Sequence, residues 1–288
     1  GGKLSKGYFA ENGRFPIGRG RFVLRDHKKF GWLTAESVIV NSSNIGTYKM
    51  AMDVGAQGIY RIARRFGFGS KTGIDFPGEA KGILRPVKRW SSTSLASISM
   101  GQEIGVTPLQ MVMAVAAVAN GGLMNSPRIV EAVEKNGRLQ KRTVAPSPKR
   151  VISVLNARKL RGILRKVVTH GTGASAEVPG YGAAGKTGTA QKAEPGIRGY
   201  SKENFVTSFV GFIPYKNPRI ALLVVFDEGK IRGAAWGSTI AAPVWKRIAW
   251  QTMRYLRVPP EGARVITLQD EIFPSGRPVR AERISFGE

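Results

Sequence analysis

Near the C-terminal end of the chain two β-rich runs, "NFVTSFVGFIPY" (204–215) and "RIALLVVFDE" (219–228), are separated by only "KNP". Three residues can close a hairpin but cannot carry the crossover of a dozen or more that joins parallel neighbours, so these strands are antiparallel. Open nucleotide-binding sheets are parallel, with helical crossovers. The hairpin therefore constrains the segment just before it, "GYGAAGKTGTAQ" (180–191). Gly180 to Thr187 fits G-x-x-x-x-G-K-[ST], a phosphate loop, and Asp227 closes an apolar run as a second acidic motif would. Such a loop needs a strand before it and a helix starting directly after Lys-Thr, so that N–H groups and the helix dipole face the phosphates. Upstream, "ASAEVPGYGAA" is small and broken by Pro179; downstream, Gly188, Pro195, Gly196 and Gly199 leave no room for a helix. Lys186 is expected instead to begin an extended strand at the edge of a cleft, with Gly188 lacking the Cβ that would keep a ligand off the backbone.

The composition narrows the chemistry. With 288 residues, 42% of them apolar, and no repeat, the chain has material for a sizeable core. Without cysteine it builds no disulfide framework and no thiolate metal site. His27 and His170 are the only histidines, too few for a multi-histidine metal centre, and both read as surface or loop residues. The formal charge of +26 suits an anionic partner. Its carriers are spread through "RIARR", "KNGRLQKR", "SPKR" and "RKLRGILRK", which describes a basic solvated surface better than a dedicated nucleic-acid patch. The longest apolar stretches, around "ALLVVF" and "MVMAVAAVA", have the size of core elements.

Residues 1–33 show neither a helical nor a strand period and are expected to be irregular. "TAESVIV" predicts a short helix capped by Thr34, "NSSN" a turn, and "IGTYKMAMDVG" the resumption of helix. "IYRIARRFGFG" places Ile59, Ile62, Ala63 and Phe66 on one face with Gly67 or Gly69 as the stop. At "TPLQ" Thr107 can cap, Pro108 suits the first helical position and Gln110 completes a capping box. The helix that follows is apolar nearly all round and is expected at the centre of a subdomain. Another helix, from about Asn156 to Thr169, turns Leu160, Ile163, Leu164, Val167 and Val168 inward and ends at "HGTG". A last amphipathic helix covers about Ser238 to Leu256, and the Pro-rich stretch after it reads as a tail.

Lys186 to Gly188 also spell K-T-G, and so do Lys71 to Gly73. The first copy leads into the turn-rich "DFPGE" and is assigned to structure; the second opens a strand. About 140 residues before the second, Ser42 to Asn44 satisfy S-x-N, a pattern that a plain turn would also satisfy. S-x-N and K-T-G are two of three motifs of one class of serine acyl-transfer site. Taken with "VNSSNIG", "RFGFGSKTGIDFPGE", "ISMGQEIGVTPLQM", "HGTG" and "GKTGTAQ", the chain resembles, over roughly residues 30 to 257, the transpeptidase domain of the class B penicillin-binding proteins of the division and elongation type.

The resemblance implies an α+β fold, penicillin-binding transpeptidase or β-lactamase-like: an antiparallel sheet covered by helices on both faces plus an all-helical subdomain. It divides the chain into an N-terminally truncated transpeptidase domain at 1–258, with an incomplete sheet, and a C-terminal tail at 259–288. It implies that Ser42 relays a proton to the departing amine, that Asn44 bonds the substrate amide or a catalytic lysine, and that Lys186 draws in the substrate carboxylate. Thr187 and Thr189 then donate to that carboxylate, Gly188 and Ser43 belong to the substrate-binding surface, and the Thr189 N–H forms half of an oxyanion hole. The family's third motif, S-x-x-K, supplies nucleophile and base, and no serine here has lysine three positions later. The motif is expected just upstream of Gly1, and this polypeptide alone should form no acyl-enzyme.

The activity implied is D,D-transpeptidation of peptidoglycan stem peptides ending in D-Ala-D-Ala, with β-lactams acylating the same serine. No metal and no organic cofactor is implied. The implied location is the extracytoplasmic, periplasmic face of the cytoplasmic membrane, reached through an anchor outside these residues, in company with cell-wall synthesis or division proteins and without nucleic acid. The alternatives are a nucleic-acid-stimulated phosphate-loop nucleotidase, a non-enzymatic β-lactam sensor and a D,D-carboxypeptidase.

Overall fold

A computed structural model describes residues 4–18, 20, 22–141, 147–192, 199–201, 203–229 and 236–262. In chain order the elements are β1 (Gly7–Phe9), β2 (Arg14–Ile17), β3 (Phe22–Arg25), β4 (Trp32–Thr34), α1 (Ala35–Val40), α2 (Asn44–Arg65), α3 (Ser94–Ser99), α4 (Pro108–Ala119), β5 (Leu123–Met124), β6 (Ala132–Lys135), β7 (Arg138–Lys141), β8 (Lys149–Arg150), α5 (Val154–His170), β9 (Ala184–Gln191), β10 (Phe205–Ile213), β11 (Ile220–Asp227) and α6 (Ala241–Tyr255).

The hairpin forms the sheet. Strands run in the order β11-β10-β9, all antiparallel, with Ile213 opposite Ile220 beside the turn and Lys186 opposite Val210. β9 begins at Ala184, two residues before Lys186, and lies at an edge. Alternation along β10 sends Phe209 and Ile213 to one face, where Trp245 of α6 meets Phe209 edge-on at 5.0 Å between ring centroids. The Trp245 indole N–H donates to Leu222 O at 2.9 Å, satisfying the one polar atom of the largest fully buried side chain. Phe212 points to the opposite face, where Arg161 of α5 lies over its ring. The sheet is thus covered by α6 on one face and by α5, with α4 beside it, on the other. At roughly 25 cal/mol per Å², the 150–250 Å² buried by each of these aromatics makes them the main apolar ballast of the fold.

The caps follow the sequence. Thr34 accepts from Ser37 N–H ahead of α1, and Thr107 and Gln110 form a reciprocal capping box with Pro108 in the first turn of α4. Gly171 ends α5. Two expectations are corrected. The described part of residues 1–33 is not simply irregular: β1 pairs with β4 and β2 with β3, in ribbons of three or four residues, too short for a strand period to register. The second ribbon packs Ile17 and Leu24 against Ile45 of α2 and Ala96 of α3, so ribbons share the core of the helical part. α4 sits against β10, β11 and α5 rather than at the centre of a subdomain. α2 breaks at Gly55 (φ 75°), and in the segment after it Ile62 is exposed while Ile59, Ala63 and Phe66 are partly buried.

Among the described residues no helix is long and apolar enough to cross a membrane. The expected tail lies outside the described residues from 263 onward. The described residues around its expected start pack on the rest of the chain: Tyr181 Oη donates to Val258 O at 3.0 Å, and Lys216 pairs with Glu261 at 3.0 Å.

Candidate active site

The S-S-N turn joins two helices. α1 ends at Val40, and Ser42 takes a left-handed backbone conformation (φ 57°), sparsely populated for a residue with a Cβ. Asp26 pins the turn from below. Its carboxylate accepts from Ser43 Oγ at 2.7 Å, Asn44 N at 2.6 Å and Ile45 N at 3.1 Å, taking up N–H groups that the start of α2 would leave unpaired. Ser43 is fully buried and caps α2 by accepting from Gly46 N at 2.9 Å. Its hydroxyl is therefore consumed inside the protein, and the structure reassigns it from the substrate surface to the turn. Asn44 Nδ2 donates to Arg25 O at 2.8 Å, and among the described residues nothing donates to its side-chain oxygen.

Across from this turn stands β9. Lys186 Nζ donates to Ser42 Oγ at 2.8 Å, across 144 residues of sequence, and to Thr187 O at 3.1 Å, with Thr187 Oγ1 at 3.5 Å. All three acceptors are neutral, and among the described residues no carboxylate pairs with this ammonium. The residue keeps some solvent-facing surface, but protein surrounds the ammonium on most sides, and that burial pushes its pKa from 10.5 down to about 8. A desolvated cation without a counter-charge is an unfinished ion pair.

The two threonines flanking Gly188 are held by groups outside the strand. Thr187 Oγ1 lies 2.9 Å from Thr172 Oγ1, in the turn after α5, and Thr189 Oγ1 accepts from Gly237 N at 3.1 Å. A Cβ at Gly188 would come within 2.5 Å of Ser208 Oγ, and one at Gly237 within 2.5 Å of Gly188 O and 2.6 Å of Ser208 O. Gly237 is thus required by contacts with backbone, whereas at Gly188 the obstacle is a serine hydroxyl that can turn away. His27, next to Asp26, is a loop residue in ring contact with Phe30; partial burial, Lys28 and Lys186 hold its pKa below the usual imidazole value.

Sequence reasoning brought Ser42 and Lys186 to one place but missed Asp26, Thr172 and Gly237. Asp26 carried a signal, as the only acid between Glu11 and Glu36. Thr172 reads in sequence as part of a helix stop, and Gly237 carries no signal. The phosphate-loop alternative fails on geometry: Thr187 continues a strand, its neighbours are antiparallel, and Asp227 at the end of the hairpin pairs with Lys192 at 3.0 Å.

Comparison with known proteins agrees with the fold. Residues 4–249 match the family described as the penicillin binding protein transpeptidase domain. "Stage V sporulation protein D" of Bacillus subtilis is 36% identical over 261 residues, covering 89% of this chain and 40% of the relative. "Probable peptidoglycan D,D-transpeptidase PenA" of Neisseria gonorrhoeae is 32% identical over 246 residues, covering 85% and 40%. The chain thus spans about two fifths of the length of these relatives. Among solved structures, the apo transpeptidase domain of Burkholderia pseudomallei penicillin-binding protein 3 superposes with a TM-score of 0.79 at 34% identity, covering 90% of this chain and 75% of that one. Penicillin-binding protein 3 of Mycobacterium tuberculosis in complex with ampicillin superposes at 0.78 and 33% identity, covering 88% and 57%. With its antiparallel sheet between helices and its match over most of the sequence, the chain belongs to the penicillin-binding protein transpeptidase domain family.

Proposed function

We propose that this chain supplies the carboxylate-holding and proton-relaying half of a peptidoglycan D,D-transpeptidase site that β-lactams also occupy. The observation that carries this reading is the Lys186–Ser42 contact at 2.8 Å made by an ammonium that has no counter-charge among the described residues. The terminal carboxylate of a stem peptide is that missing charge, and the edge of β9, which pairs with no other strand among the described residues, offers an extended peptide backbone partners beside it. Thr187 and Thr189 donate to the same carboxylate. Asn44, with its amide N–H committed to Arg25, presents its oxygen to a substrate N–H.

As the scissile amide breaks, the departing amine needs a proton, and Ser42 Oγ hands one on while Lys186 holds that hydroxyl polarised. The Thr189 backbone N–H faces the developing oxyanion. The serine nucleophile and its lysine base have no counterpart among these 288 residues, so the polypeptide alone captures the carboxylate without forming an acyl-enzyme. By the same resemblance the complete enzyme works on the extracytoplasmic face of the membrane in cell-wall synthesis during division or elongation.

Titration of the isotope-labelled chain with an N-acylated D-alanyl-D-alanine tests this reading. Saturable shifts at β9 and the S-S-N turn are expected, lost in Lys186→Ala and absent with the C-terminal amide of the same peptide. Saturable binding of ATP with Mg²⁺ that depends on Lys186, without response to the peptide, would overturn it.

A further inference from the structure

Resting on the carboxylate site just described, we infer that Thr172 is a positioning residue for it: with the Gly237 N–H, it fills the acceptor sides of the two β9 threonine hydroxyls and turns their protons toward the bound anion. A threonine hydroxyl has one proton to donate and two lone pairs to accept with. Thr189 already accepts from Gly237 N at 3.1 Å, so its proton is free to point away from the protein. Thr187 has no backbone donor of this kind among the described residues. What it has is Thr172 Oγ1 at 2.9 Å, with Lys186 Nζ farther off at 3.5 Å.

Between two hydroxyls at that distance either can donate. A carboxylate removes the choice, because it only accepts. Once it binds, Thr187 donates outward and Thr172 is placed to donate back to Thr187, so the bonds run Thr172 to Thr187 to ligand and polarise one another. Thr172 is held for this by the fold. It follows Gly171, whose Cα packs so closely on the end of α1 that a Cβ would lie 2.4 Å from Val40 O, and it precedes Gly173, whose N–H bonds Val167 O at 2.9 Å. The turn that stops α5 thus touches both α1, which leads to Ser42, and β9, which carries Lys186.

The test compares Thr172→Val, which keeps the shape and removes the hydroxyl, with Thr172→Ser, which keeps the hydroxyl. Each is titrated with N-acyl-D-alanyl-D-alanine and with its C-terminal amide, after thermal unfolding confirms that the variants are folded. The expected result is a Kd for the acid raised about five- to tenfold in Thr172→Val, the scale of one lost hydrogen bond. Thr172→Ser should stay within about twofold of the native chain, and the response to the amide should not change. Native acid affinity in Thr172→Val, with binding still abolished by Lys186→Ala, would overturn the role of Thr172 and leave the carboxylate site standing. Equal losses in both variants would make Thr172 a packing residue and overturn the inference as well. A native chain that does not distinguish acid from amide would remove the carboxylate site itself.

Discussion

The chain contains Lys-Thr-Gly twice, and the two copies have opposite fates. At Lys71–Gly73 the tripeptide is a loop wrapped on one acid. Thr72 N and Thr72 Oγ1 each donate to Glu79 Oε1 at 2.6 Å, and Gly73 N donates to Glu79 Oε2 at 3.0 Å. Lys71 is left exposed. The loop's neighbours are clamped by buried Gln110, whose Nε2 donates to Ser70 O at 2.7 Å and Lys81 O at 2.9 Å. At Lys186–Gly188 the same letters form a strand, the threonine faces another hydroxyl, and the lysine packs against Ser42 with no acid partner among the described residues. The first copy is electrostatically complete and the second is not. The proposed binding site rests on that incompleteness, and the tripeptide does not carry it: it arises from what the hairpin and the S-S-N turn place around the tripeptide.

Matched substitutions sharpen the contrast, beginning with the two lysines. For Lys186 the folded pKa, about 8, lies below the unfolded value of 10.5. Below about pH 8 both states hold the proton and the fold carries the full cost of the buried charge. Between about 8 and 10.5 the unfolded chain alone retains it, so stability rises with pH through that window. At 1.36 kcal/mol per unit the rise approaches about 3 kcal/mol, less where water reaches the ammonium. Denaturant unfolding of Lys186→Met should therefore give a higher stability than the native chain at pH 7 and a flatter profile above pH 8. Lys71→Met should stay within about 0.5 kcal/mol throughout, as exposed substitutions do. Equal behaviour of the two variants would erase the distinction.

Next come the two anchoring acids. Glu79→Ala and Asp26→Ala each strand three donors and should each cost about 2 kcal/mol. Only Asp26→Ala should also abolish the Lys186-dependent response to the acid peptide, since only that acid positions Ser42 and Asn44. The smallest effect belongs to the threonines: Thr72→Val should lower stability by about 1 kcal/mol, whereas Thr187→Val should leave stability within about 0.5 kcal/mol and weaken capture of the acid.

Much of this was written locally. The three-residue link between apolar runs dictated the antiparallel sheet and excluded a phosphate loop; Thr34, Thr107, Pro108 and Gln110 announced their helices by capping chemistry; Ser42 and Lys186 were legible because two short patterns recur at a known order along the chain. What stayed hidden depends on distant partners. β1 to β4 are too short to show a period and exist because their pairing partners are present. Ser43 has the same composition cue as Ser42, and only the position of Asp26 sends its hydroxyl inward. Thr172 and Gly237 reach the site across the end of α5 and the start of α6, which no spacing in sequence encodes.

The central claim is that Lys186 is a buried cation awaiting an anion. The measurement that tests it most directly is the pH titration of the Lys186 side chain by NMR, in the free chain and with N-acyl-D-alanyl-D-alanine bound. The account predicts a midpoint near 8 when free, moving upward on binding as the carboxylate supplies the missing charge. A midpoint near 10.5 in the free chain, or one that the peptide leaves in place, would contradict it.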